Sequence, residues 1–177
     1  RLWMGDAPPL MPYTRERARR LGGRLPGVRF GVAVRYGQPS IGSVLDRRHA
    51  EGVRRVAILP AYPQYAASTV ATINDAVASW IGRNRDGFEL RLHRSFPAAP
   101  AYIEALATAL ERHWEQVGRP NFLTGDRVVV SFHSIPVAMD EAGDPYRTEC
   151  RHTVAALESR LGLAMGSLTA TFQSVFG

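Results

Sequence analysis

Short runs of strand character alternate with amphipathic helical stripes along nearly the whole chain, and this alternation limits the fold more than any other feature. "VRFGVAVR" (28–35), "RRVAILP" (54–60), "FELRLHRS" (88–95), "RVVVSFH" (127–133) and "SLTATFQS" (167–174) read as strands. Helices are predicted from Thr14 to about Leu25, from a cap at Ser40 to Gly52, from Ser68 or Thr69 to Gly82, from Ala99 to about Val117, and from Arg147 to Leu161. Within them apolar residues recur at three-to-four spacing: Val70, Ile73, Val77 and Trp80 form one stripe, and Cys150, Val154, Leu157 and Leu161 another. Such alternation predicts an α/β fold with mostly parallel sheets. The stretch "GRPNFLTGD" (118–126) is the densest cluster of turn formers and is the expected domain boundary, since the pattern restarts after it. A further strand is expected before Thr14 and a helix after the last strand, so the chain reads as an interior piece of a longer one.

All 22 basic residues are arginine, and they leave a net charge of +6. That balance favours an anionic partner: a carboxylated substrate, an acidic membrane surface or nucleic acid. The arginines are scattered rather than striped, and no nucleic-acid-binding signature accompanies them, so no nucleic-acid partner is expected. No apolar run approaches the roughly 20 residues that a membrane span needs, and no signal-peptide layout opens the chain. A cytoplasmic location is the default expectation. The single cysteine, Cys150, excludes an internal disulfide framework and cysteine-rich zinc sites.

In open parallel sheets ligands bind outside the carboxyl ends of the strands. Three polar and aromatic loops leave predicted strands at that edge: "RYGQPS" (35–40), "AYPQYAAST" (61–69) and "SFHSIP" (131–136). Arg35 reads either as a surface ion-pair residue or as a carboxylate-binding one, beside Tyr36. Tyr62 and Tyr65 fit a rigid turn, and equally offer flat faces to a planar ring. His133 reads either as a histidine bonded to a neighbouring carbonyl or as a proton acceptor or metal ligand, and its strand-end position favours the second. "GDPY" (143–146) is turn chemistry that launches the next helix. His49, His93, His113 and His152 lack paired metal-ligand spacing, and no phosphate-cradling glycine loop follows a strand.

At these loops the sequence resembles the ferrochelatases, which insert ferrous iron into a porphyrin. The resemblance rests on "VAVRYGQPSI" (32–41), "YPQYAASTV" (62–70), "SFHSIPV" (131–137), "GDPYRTEC" (143–150) and "TFQSVFG" (171–177), in the family's order. It implies two similar doubly wound domains of Rossmann-like or flavodoxin-like type. Residues 1–124 would be most of the first, without its first strand, and 125–177 the start of the second. It implies His133 as the catalytic residue, accepting pyrrole protons or binding the incoming metal. Arg35, Tyr36, Tyr65, Ser68 and Tyr146 are implied as substrate-binding residues.

Ferrous iron enters as substrate, and the porphyrin would be protoporphyrin IX or coproporphyrin III. An iron-sulfur cluster, which some members carry, would belong to a carboxyl-terminal region outside this chain. So would the glutamate that faces the histidine, and the chain alone is expected to be inactive. Peripheral membrane contact is compatible with the basic charge. Val175 departs from the family, which usually has arginine there. The alternatives are a related cobalt chelatase or a non-catalytic porphyrin- or haem-binding protein.

Overall fold

A computed structural model describes residues 10–174, so that Val175 lies outside the described residues. The chain divides into two compact units, one comprising the residues up to Val56 together with Ile73–Arg91, the other Ala57–Thr72 together with the residues from Leu92 onward. The turn-rich stretch 118–126 lies inside the second unit.

The first unit holds α1 (Leu10–Arg24), α2 (Ile41–Ala50) and nearly all of α3 (Thr72–Arg83). As expected, Ser40 caps α2: its backbone is extended and its Oγ accepts the Ser43 N–H at 3.1 Å. Arg47, Arg48 and His49 in the last turn suit the negative end of the helix dipole. Ile41, Leu45, Val77 and Trp80 are buried. The Trp80 indole N–H donates to Asp46 Oδ1 at 2.7 Å, and its ring stacks on Phe88 at 4.9 Å.

Residues 28–35 do not form the expected strand. Only an isolated bridge, Val34 to Ser40, is made there. A strand exists by pairing, and here the backbone groups go elsewhere: the Val34 N–H donates to the Pro39 carbonyl at 2.9 Å, and the Phe30 carbonyl accepts from Arg48 at 2.8 Å. Among the described residues no neighbouring segment offers this apolar run a ladder.

β1 (Arg55–Ile58) and β2 (Glu89–Leu92) form a two-stranded sheet. The Glu89 N–H bonds the Arg54 carbonyl, and the His93 N–H bonds the Ile58 carbonyl. The partners advance together along both segments, which is the parallel arrangement.

The second unit is built around α4 (Pro100–Val117), β3 (Val128–His133), α6 (Tyr146–Arg160) and β4 (Leu168–Gln173). β3 and β4 pair in parallel, from Val128 opposite Leu168 to His133 opposite Gln173. Alternation then sorts the side chains. Val128, Val130, Phe132, Leu168 and Ala170 join Ile103, Ala107, Trp114, Val154, Leu157 and Leu161 in one core against α4 and α6, while Val129, Ser131 and His133 fall on the other face.

Gly118 ends α4 at φ +93°, with its N–H on the Trp114 carbonyl. A short helix not anticipated from sequence, α5 (Val137–Glu141), follows Pro136. The buried Glu158 accepts the Gly166 and Leu168 N–H groups on one oxygen, at 2.8 and 2.9 Å, and thereby sets the turn into β4.

Leu157 lies at the centre of this core. Leu157→Ala is expected to destabilise the protein by about 2–5 kcal/mol, seen as a lower denaturant midpoint with unchanged slope.

Candidate active site

His133 is the last residue of β3 and is exposed. Its Nδ1 lies 2.8 Å from the carbonyl oxygen of Ser134. A carbonyl can only accept, so at this contact the neutral ring carries its proton on Nδ1 and its lone pair on Nε2. The bland reading of this histidine, bonded to a neighbouring carbonyl, and the chemical one are therefore compatible: the carbonyl selects the tautomer that leaves Nε2 basic.

Ser174 Oγ stands 3.3 Å from Nε2. Ser174 is held in turn by the residue that follows β3, since the Ser134 N–H donates to the Gln173 carbonyl at 2.8 Å and the Ser134 hydroxyl to the Ser174 carbonyl at 2.6 Å. Ser174 has φ +89°, unusual for a residue with a side chain. Among the described residues no group of three or more His, Cys, Asp or Glu side chains could hold a metal ion.

The loop carrying Tyr65 and Ser68 belongs to the same unit. It enters α3 through a single π-helical turn, Ala67–Ala71, rather than through an ordinary helix start at Ser68 or Thr69. Wide turns of this kind recur at functional sites. Ser68 lies exposed on it, while Ala66 and Val70 are buried.

Helix α6 holds this loop at several points. Asp144, just ahead of the helix, accepts the Ala67 N–H at 2.7 Å and the Tyr146 N–H at 2.9 Å. Glu149 accepts the Tyr65 N–H at 2.8 Å. Gln64 donates to the Thr153 hydroxyl at 2.8 Å, which in turn donates to the Pro97 carbonyl at 2.7 Å. Arg94 lies over the Tyr65 ring, 4.1 Å from its centroid. Thus "GDPYRTEC" and "YPQYAASTV" are brought together, with the first supporting the second.

Tyr146 packs edge-on against Phe172, which stacks with Phe132 of β3. Burial, followed by the neighbouring Cys150, holds the Tyr146 hydroxyl well above the ordinary tyrosine range. It stays protonated and donates to the buried Cys150 thiol, so it cannot remove a proton from a ligand.

Arg35 and Tyr36 lie in the first unit, where the guanidinium carbon stands 4.7 Å from the Tyr36 ring centroid. Tyr36 is 74% exposed. Arg35 also lines a shallow pocket with Gly42, Asp75, Ala76, Ser79 and Arg83. Sequence reasoning did not single out Gln64, Arg94, Glu149 or Thr153. The available signal was two acidic residues, Glu149 and Glu158, beside the apolar stripe of α6.

Parallel strands flanked by helices, with an imidazole at the end of β3 and a tyrosine loop tethered to α6, define an α/β class of protein whose ligands generally bind outside the carboxyl ends of the strands. The family model for ferrochelatase matches residues 2–177. Ferrochelatase of Stenotrophomonas maltophilia (strain R551-3) is 40% identical over 176 residues, an alignment covering 99% of this chain and 53% of that relative. The chain therefore belongs to the ferrochelatase family. It spans about half the length of the curated relative it matches.

Burial pushes the Cys150 thiol up to about 12, outweighing the hydrogen bond from Tyr146. The thiol should react with iodoacetamide at pH 8 on the order of a thousandfold more slowly in the folded protein than after unfolding, because so little thiolate is present. The folded thiol also binds its proton more tightly than the unfolded one, with its ordinary value of 9.0. Its contribution to stability is full below pH 9 and is lost as pH rises towards 12, which alkaline unfolding of Cys150→Ser would reveal as a shallower decline.

Proposed function

We propose that the protein is a ferrochelatase, a lyase that forms metal-nitrogen bonds by inserting ferrous iron into protoporphyrin IX or coproporphyrin III in haem biosynthesis. Residues 1–124 then form most of the first chelatase domain and residues 125–177 the start of the second. The observation that carries this reading is the His133 ring, whose Nδ1 contact with the Ser134 carbonyl leaves a basic Nε2 at the end of β3.

The chemistry needs such a group. A free-base porphyrin holds two N–H protons in its central plane, and metallation exchanges both for one Fe2+. The iron cannot enter until the ring buckles and the protons leave. A rigid cleft favours the buckled ring, which is nearer the transition state than the flat one. Nε2 of His133 takes one pyrrole proton while the other passes to water, or it gives one coordination bond to iron in passage and both protons leave to water. Either role fits a single imidazole with iron as substrate.

Tyr65 presents an aromatic face and a hydroxyl to the macrocycle, Ser68 a hydroxyl from the π-helical turn, and Tyr146 its aromatic ring. Arg35, beside Tyr36, pairs with a propionate carboxylate. The net charge of +6 supports anionic substrates and also peripheral contact of a cytoplasmic enzyme with an acidic membrane surface. Among the described residues no helix is long and apolar enough to cross a membrane. The family match and the name of the relative favour iron insertion over the cobalt-chelatase and carrier alternatives.

In the full-length protein, His133→Ala should lower the rate of iron insertion by a factor of at least about 100, the usual scale for loss of a proton-transfer group, while porphyrin affinity changes little. Absorbance-monitored metallation and a porphyrin fluorescence titration read the two quantities separately. Near-normal turnover in that variant would refute the role given to His133.

A further inference from the structure

We propose that Glu149 and Arg94 are positioning residues that fix the backbone and ring of Tyr65 for a flat, carboxylated tetrapyrrole. The proposal rests on the ferrochelatase reading of this loop and extends it to two residues that touch no reacting atom.

Glu149 is only 7% exposed. A carboxylate survives such burial when donors replace its lost water, and three do so here. The Tyr65 N–H bonds Oε2 at 2.8 Å, while the Arg94 guanidinium and the Ser95 hydroxyl bond Oε1 at 3.0 and 3.2 Å. These donors come from two segments, one of them 84 residues away in sequence and the other 55 and 54. Both oxygens are occupied, so an amide, with one acceptor and a donating NH2 group, cannot replace the carboxylate without turning a donor against a donor.

The guanidinium held by Glu149 is the one that covers a face of the Tyr65 ring at 4.1 Å. One carboxylate thus sets the backbone of Tyr65 directly and its ring through Arg94. A ligand can meet only the opposite face and the hydroxyl.

The clustered core of α4, α6, β3 and β4 draws no residue from the loop, whose own buried apolar residues are Ala66 and Val70. Burying a carboxylate is a poor way to gain stability, whereas holding it by directed donors can impose a single conformation. A ring oriented before the ligand arrives loses less freedom on binding. The effect should therefore appear in affinity and leave turnover nearly intact.

The test uses the full-length enzyme with protoporphyrin IX or coproporphyrin III, comparing wild type, Arg94→Gln, Arg94→Lys, Glu149→Gln and His133→Ala. Arg94 has a side chain 58% exposed, so its replacement leaves the core closed. Arg94→Gln and Glu149→Gln should raise porphyrin KM and the fluorescence-measured Kd at least about fivefold, the scale of one lost charge-assisted contact, with kcat within about twofold of wild type. Arg94→Lys, which keeps the charge but not the flat stacking surface, should fall between wild type and Arg94→Gln.

Wild-type KM and Kd in folded Arg94→Gln would overturn the proposal, as would a fall in kcat at unchanged KM. If Glu149→Gln fails to fold, Arg94→Gln decides alone. If the wild-type protein metallates no porphyrin, the ferrochelatase reading fails, and the fluorescence Kd of Arg94→Gln still decides the positioning role. If wild type metallates and His133→Ala does not, while both positioning variants match wild type, only this inference fails.

Discussion

A carboxylate can be kept away from water only where the surrounding chain supplies donors, and α6 buries two of them. Glu149, in its first turn, collects donors from the loop before α3 and from the segment after β2. Glu158, near its end, collects two backbone N–H groups from the turn into β4. Between them run Cys150, Val154 and Leu157, the buried stripe that meets α4 and the sheet. One helix therefore packs the second unit through its apolar residues and positions both flanking segments through its acids. The register of β4, and with it the residue opposite His133, depends on the second acid. The placement of Tyr65 depends on the first.

The parts of this arrangement governed by local periodicity were legible in the sequence. Helices at Thr14, Ser40, Ala99 and Arg147 and the strands at Arg127 and Ser167 follow from spacing and caps, and all lie within a few residues of the observed α1, α2, α4, α6, β3 and β4. His133 could be located for the same reason, because the strand ends where its apolar run ends. Residues 28–35 misled because apolar alternation reports a capacity to pair and not the presence of a partner. The tethering of residues 64–67 to α6 was not legible, since its contacts join residues 77 to 89 positions apart. "GDPY" was half legible: the Asp144 contact with Tyr146 is local turn chemistry, while its contact with Ala67 depends on the tertiary fold.

The absence of lysine also has structural consequences. Several arginines bond more than one partner, as a planar group with five donors permits. Arg48 joins Glu51 to the Phe30 carbonyl. Arg119 bonds the Leu161 carbonyl and lies over Trp114. Arg160 ties Glu104 and Glu111 of α4 to α6. Arg94 belongs to this group, bonding a carboxylate and covering a ring at once. A lysine could hold the charge at these places but not the flat surface.

The alternation along β3 has a consequence for how such a chain can vary over evolutionary time. Phe132 faces the core and His133 the opposite side, a difference set by parity alone. Substitution at Val129 or Ser131 leaves that parity untouched. Deletion or duplication of a single codon within the strand would exchange the two sides, burying the imidazole and exposing the phenyl ring. The length of this segment therefore constrains the site more tightly than most of its side chains do, and insertions are tolerated better in the turns on either side of it.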